Sequence, residues 1–71
     1  MEIELKEFGK NLRDARKKKG LTLDELAVIS ELDSKQIGKI ENGLVDIRLK
    51  TLIKLIRALD IAPNDLISRE K

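Results

Sequence analysis

Leu21-Thr22-Leu23-Asp24-Glu25-Leu26 and Leu32-Asp33-Ser34-Lys35-Gln36-Ile37 repeat one pattern. Each reads apolar, cap, two intervening residues, Glu or Gln, apolar. In a capping box the cap side chain accepts from the amide three residues on, and the Glu or Gln there accepts from or reaches back to the cap's own amide. Leu21 with Leu26, and Leu32 with Ile37, supply the apolar pairs of a hydrophobic staple. The two caps, Thr22 and Asp33, lie eleven residues apart. Two short helices therefore start in quick succession with only a brief turn between them. That is a helix-turn-helix arrangement, in which the second helix is the one shaped to enter a DNA major groove.

The same punctuation extends outward. Leu5, Phe8, Leu12 and Ala15 recur at three and four residues, the face of an amphipathic helix over about 4–19, which Ile3 could extend. Lys17, Lys18 and Lys19 suit the negative end of its dipole, and Gly20 suits the left-handed residue that closes a helix. The second helix is expected over about 23–30, burying Leu26, Ala27 and Ile29. The third is expected over about 34–42, burying Ile37 and Ile40, with Asn42-Gly43 as its stop. Leu49, Leu52, Leu55, Ile56 and Leu59 form a fourth helical stripe. Pro63 suits the first position of a fifth short helix carrying Leu66 and Ile67. No segment alternates long enough to argue a strand. The expected fold is all-α, a five-helix bundle, with residues 1–71 forming one domain whose helix-turn-helix core is about 22–42.

Composition narrows the function. At 71 residues the chain is one small domain, and it has neither Cys nor His. That excludes disulfides and thiolate or imidazole metal ligation and suits a reducing cytoplasmic setting. There is no apolar run near the ~20 residues of a membrane span, and the Glu-bearing N-terminus resembles no signal peptide. Fifteen basic against thirteen acidic residues leave a net charge of only +2. Its distribution is more informative: residues 1–33 hold seven basic and eight acidic side chains, residues 34–71 eight and five. The positive excess begins where the third helix begins, as suits a face meeting phosphates. There is no Gly-rich phosphate loop, no convincing carboxylate pair and no base beside any Ser or Thr, so an enzyme is not expected, nor a cofactor.

From Phe8 to Leu66 the chain resembles the Cro/C1-type (XRE-like) helix-turn-helix family. The resemblance is carried by Leu12-Arg13-Asp14-Ala15-Arg16, Gly20-Leu21-Thr22, Leu26-Ala27, Ile37-Gly38-Lys39-Ile40-Glu41-Asn42-Gly43 and Leu52-Ile53-Lys54-Leu55-Ile56-Arg57-Ala58-Leu59. It implies five helices, sequence-specific binding of double-stranded DNA and a two-fold homodimer. Family members include phage repressors, restriction-modification controller proteins and autoregulating antitoxins. Three positions depart from the usual pattern. Leu23 stands where a phosphate-binding Gln is common, Glu31 where the turn often has Gly, and Ile47-Arg48 where Pro-Ser often precedes the fourth helix.

Ser34, Lys35, Gln36 and Lys39 lie on the face of the third helix opposite Ile37 and Ile40. The resemblance implies that they reach base edges. Lys can donate to guanine O6 and N7, and Gln can pair with adenine N6 and N7. An ordinary solvated helix face is the plain alternative. Thr22, Asn42, Arg48 and Lys50 are the expected phosphate contacts, with helix capping and solvated charge as their alternatives. Arg16 and Glu41 match a structural ion pair. Gly38 stands inside a helix, where Gly costs about 1 kcal/mol against Ala; close approach to DNA and tight packing on a neighbouring helix are both open. Leu44, Val45, Ile47, Ile53 and Ile67 remain after the core is assigned, and they are expected at a dimer interface. Such a dimer implies an operator that is an inverted repeat. The rival function is an antitoxin or controller protein with a toxin or polymerase as protein partner. The few residues after Leu66 argue against a separate toxin-binding segment.

Overall fold

A computed structural model describes residues 4–67, and Ile3 lies outside them. The described residues form five helices and no strand: α1 (Leu5–Lys18), α2 (Leu23–Ser30), α3 (Ser34–Glu41), α4 (Leu49–Leu59) and α5 (Asn64–Ile67). The predicted bundle is observed, with the expected bounds of α1 and α3 shortened by a residue and those of α2 as expected. Glu4 and Lys19 cap α1, and Asn42 caps α3. Pro63 precedes α5 instead of opening it. Its carbonyl accepts from the Leu66 and Ile67 amides, so it acts as the residue before the first turn.

Helix starts differ in strength. At Thr22 the full capping box forms: the hydroxyl accepts from the Glu25 amide at 3.1 Å, and the Thr22 amide donates to Glu25 at 2.8 Å. At Asp33 the box does not close. The carboxylate accepts from the Lys35 amide at 3.2 Å, one residue earlier than expected, and Gln36 makes no return bond. Gln36 is left exposed. The weak start predicted before the fourth helix is observed, since Arg48 caps α4 without a side-chain bond.

Helix ends are uniform. After each of α1 to α4 the chain closes with the same pair of backbone bonds, of which Leu21 to Arg16, Leu32 to Ala27, Leu44 to Lys39 and Ile61 to Ile56 are the longer members. This is the Schellman closure, and it requires a left-handed residue just before the apolar one. Gly20 and Gly43 fill that place in α1 and α3, Glu31 and Asp60 in α2 and α4. Glu31, at φ 61° and ψ 38°, has a backbone that costs a non-glycine residue about 1–2 kcal/mol. Glu31→Gly is therefore expected to stabilise the fold by about 0.5–1 kcal/mol, the relief of strain being partly offset by a freer unfolded chain. Urea denaturation would show a higher midpoint at unchanged slope. A lower midpoint would show that the Glu31 side chain contributes more than its backbone costs.

The core is Phe8 and Leu12 of α1, Leu26 and Ala27 of α2, Ile37 and Ile40 of α3, Leu55 and Leu59 of α4, and Leu66 of α5. Helix α1 packs on α3 and α5, and α2 packs on α3 and α4. Gly9 sets the first of these contacts. A Cβ there would overlap the carbonyl oxygens of Ile40 and Glu41, so the backbones of α1 and α3 meet at that point. Asn11 is buried and donates to the Leu66 carbonyl at 2.9 Å, tying α1 to α5. Ile29, expected in the core, is exposed together with Val28. An eight-residue helix held between α3 and α4 has room for only one buried stripe, and Leu26, Ala27 and Ser30 occupy it.

Candidate nucleic-acid interface

Three elements frame one face of the molecule: the start of α2, the outer side of α3 and the start of α4. Helix α3 presents it because Ile37, Ile40 and Glu41 are turned inward. Residues three and four apart share a helix face, so Lys35 and Lys39 stack one turn apart on the opposite side, and both are exposed. Ser34 is half-buried in the first turn. Gln36 and Gly38 fall on the two flanks. Gln36 shares a shallow cleft with Arg48, Lys50, Thr51 and Lys54, so the flank toward α4 is basic. Gly38 faces the other way, toward the Leu23 side chain. The structure thus brings Lys35, Gln36, Lys39, Arg48 and Lys50 to one surface. It adds Lys54, whose place was hidden in the sequence because the N-terminal boundary of α4 lacked a cap signal.

Charge on this face is uneven. The first turn of α2 carries Asp24 and Glu25, although Glu25 is held in the capping box. Positive charge comes from α3 and α4. Thr22 is exposed, and its hydroxyl oxygen already accepts from Glu25, leaving its hydrogen able to donate outward. Asn42 is exposed at the end of α3, and its Oδ1 accepts from Arg13 Nη2 at 2.9 Å. That bond turns the amide so that the remaining group is a donor, the kind a phosphate oxygen requires.

Beneath the face, Arg16 and Glu41 form the expected pair. Arg16 Nε and Nη2 donate to the two Glu41 oxygens at 2.7 and 3.1 Å, a two-pronged geometry. Arg16 Nη1 also donates to the Leu21 carbonyl at 2.9 Å, bracing the turn before α2. The hydrogen bond to Glu41 holds the Arg16 guanidinium above its ordinary value, against the opposing effect of burial, with the charge attraction adding to it. Arg13 stands 3.5 Å from the same carboxylate, a third partner not legible from spacing. It links Glu41 to Asn42, so the pair that ties α1 to α3 also orients a residue at the surface.

The apolar residues left over from the core divide in two. Val45, Ile47 and Ile67 are half-buried and pack against the core. Leu44 and Ile53 are exposed, at 68% and 41%. Leu49, at 72% exposed, lies one turn before Ile53 on the same side of α4 and was not anticipated as surface. Helix α4 therefore has three sides: Thr51, Leu55 and Leu59 inward, Lys50 and Lys54 on the basic flank, Leu49 and Ile53 on an apolar one.

Among the described residues there is no cluster of potential metal ligands and no helix long and apolar enough to cross a membrane.

Comparison with known proteins agrees with this geometry. A helix-turn-helix family model matches residues 12–66. The restriction-modification controller protein C.AhdI from Aeromonas hydrophila is 41% identical, with a TM-score of 0.85 over 89% of this chain and 96% of that one. The clp gene regulator ClgR from C. glutamicum is 27% identical, with a TM-score of 0.82 over 93% of this chain and 86% of that one. SinR, a master regulator for biofilm formation solved in complex with DNA, is 28% identical, with a TM-score of 0.79 over 83% of this chain and 95% of that one. No curated protein sequence matches. The family is non-enzymatic. With the match covering most of its length, this chain belongs to the Cro/C1-type (XRE-like) helix-turn-helix family and is a DNA-binding transcriptional regulator.

Proposed function

We propose that the protein recognises a specific sequence in double-stranded DNA, with α3 in the major groove, and that it binds as a homodimer to an inverted repeat. The observation that carries this reading is the outward pair Lys35 and Lys39, flanked by the cleft of Gln36, Arg48, Lys50 and Lys54. Lys35, Gln36 and Lys39, with Ser34 at the first turn, read base edges. Thr22, Asn42, Arg48 and Lys50 hold phosphates and set the register. Its proposed place of action is the cytoplasm.

Size supports the dimer. The described backbone is 31 Å along its longest axis, and the α3 helix that reads the groove is one among five. Successive major grooves on one face of DNA are about 34 Å apart. One copy therefore reads one groove, and the few base pairs there are too little to select a genomic site. The exposed apolar residues Leu44, Leu49 and Ile53, with the half-buried Val45, Ile47 and Ile67, are the candidates for contact with a second copy. Among the family's roles, the resemblance to a controller protein favours an autoregulating controller over an antitoxin with a toxin partner.

Lys35→Ala and Lys39→Ala are each expected to weaken specific binding by about 1–3 kcal/mol and to relax preference at one base pair. Affinities across a set of single-mismatch operators measure this. Equal losses on every sequence would mean that the lysines touch only phosphate.

A further inference from the structure

We propose that Gly38 and Leu23 form an apolar notch that receives a carbon group of the bound DNA, either a thymine 5-methyl or a deoxyribose carbon. This rests on the DNA-binding reading above and adds two residues to it.

The other three glycines have reasons inside the chain. Gly20 and Gly43 have φ near +72°, and Gly9 touches the backbone of α3. Gly38 has none. It lies inside α3 with ordinary helical φ, and a Cβ built on it would meet only Leu23 Cδ1, at 3.9 Å. That is a normal van der Waals contact, so the fold would accept alanine, and an eight-residue helix would gain from it. A side chain is missing where neither packing nor backbone geometry asks for its absence.

The position of the gap points outward. Gly38 is on the flank of α3 next to the exposed Lys35 and Lys39, so its surface belongs to the same face. Leu23 opens α2 and is half-buried, with part of its side chain left at the surface. Its side chain has no hydrogen-bonding group, so whatever meets that side chain must be satisfied by carbon contact. The bare α3 backbone and the leucine methyls together make a recess one methyl deep. In a major groove the apolar feature of a base edge is the thymine methyl, and along the strand it is the sugar.

The test uses a duplex selected by the protein from a random double-stranded pool. Gly38→Ala should raise the melting temperature by a few degrees and weaken binding to that duplex by about tenfold or more, from overpacking. Replacing each thymine in turn by uracil removes only a methyl. If the notch holds a methyl, the parent loses about fourfold at one position, Leu23→Ala no longer senses that change, and Gly38→Ala binds the uracil duplex more tightly than the thymine one, because removing the methyl relieves the overpacking. If it holds a sugar, the uracil series is flat and Gly38→Ala weakens every duplex alike. The proposal is overturned if Gly38→Ala binds as tightly as the parent, or if it lowers the melting temperature and so reveals a packing role. Failure of the parent to select any duplex would instead overturn the DNA-binding reading itself.

Discussion

Replacing Glu41 with alanine is expected to destabilise the protein by about 3–5 kcal/mol, the range for stranding a buried charge. The Glu41 side chain is 2% exposed and that of Arg16 only 11%, so water reaches neither end of the pair well. Without Glu41, the Arg16 guanidinium would keep its bond to the Leu21 carbonyl but lose its counter-charge. It cannot escape by deprotonating, since arginine holds its proton at any accessible pH. A chain of 71 residues has roughly 4–11 kcal/mol of total stability, so the loss removes a large part of it and the variant should melt at a much lower temperature than the parent. Replacing both partners with apolar residues of similar length, Arg16→Met with Glu41→Leu, should recover much of the loss, because neither charge is then left alone. Urea denaturation of the two single variants and the double variant measures this directly. A loss under about 1 kcal/mol for Glu41→Ala would place the pair with ordinary surface bridges.

Ile53→Asp should leave the helical fold intact and lower affinity for a full operator by about 10²–10⁴-fold, the gain that linking two binding modules normally supplies. The substitution is chosen for its position. Ile53 is 41% exposed, so a carboxylate there remains hydrated in the free chain and is buried only if a second copy covers it. Ile47 and Ile67 are poorer probes. They pack against the core, and a charge at either would damage the fold as well as any interface. Leu44→Asp and Leu49→Asp are suitable companions, both residues being more than two-thirds exposed. Sedimentation should show the parent as a dimer, at least on DNA, and Ile53→Asp as a monomer with unchanged circular dichroism. If Ile53→Asp binds the full operator as well as the parent, or if a single half-site suffices for full affinity, the dimer arrangement proposed here is wrong.

What could be read in the sequence was whatever is encoded within about four residues. The Thr22 box, the stops at Gly20 and Gly43 and the apolar spacings of all five helices are local devices, and they set the bounds of α1, α2 and α3 to within a residue. Resemblance added the partnership of Arg16 with Glu41, twenty-five residues apart. The candidate base-facing residues followed from the same spacing, since burying Ile37 and Ile40 leaves Lys35 and Lys39 outside. The rest depended on how the helices cross. Gly9 reads as an unremarkable residue in an amphipathic stripe until α3 lies against it. Asn11 reads as a polar interruption until the Leu66 carbonyl, fifty-five residues away, accepts its proton. Asp33 accepted from the second amide of α3 and left its box open, and Asp60 took a left-handed backbone; local chemistry permits both outcomes, and the residue spacing specified neither. Helix α4 shows the same limit. Its sequence specified an apolar stripe too wide for one neighbour, and only the packing on α2 decided that Leu55 and Leu59 go inward while Leu49 and Ile53 stay out. Local hydrogen bonds and side-chain spacing define where a helix begins, ends and is apolar. Which part of that surface is covered depends on interhelical distance and crossing angle, and those arise only when all the helices share one core.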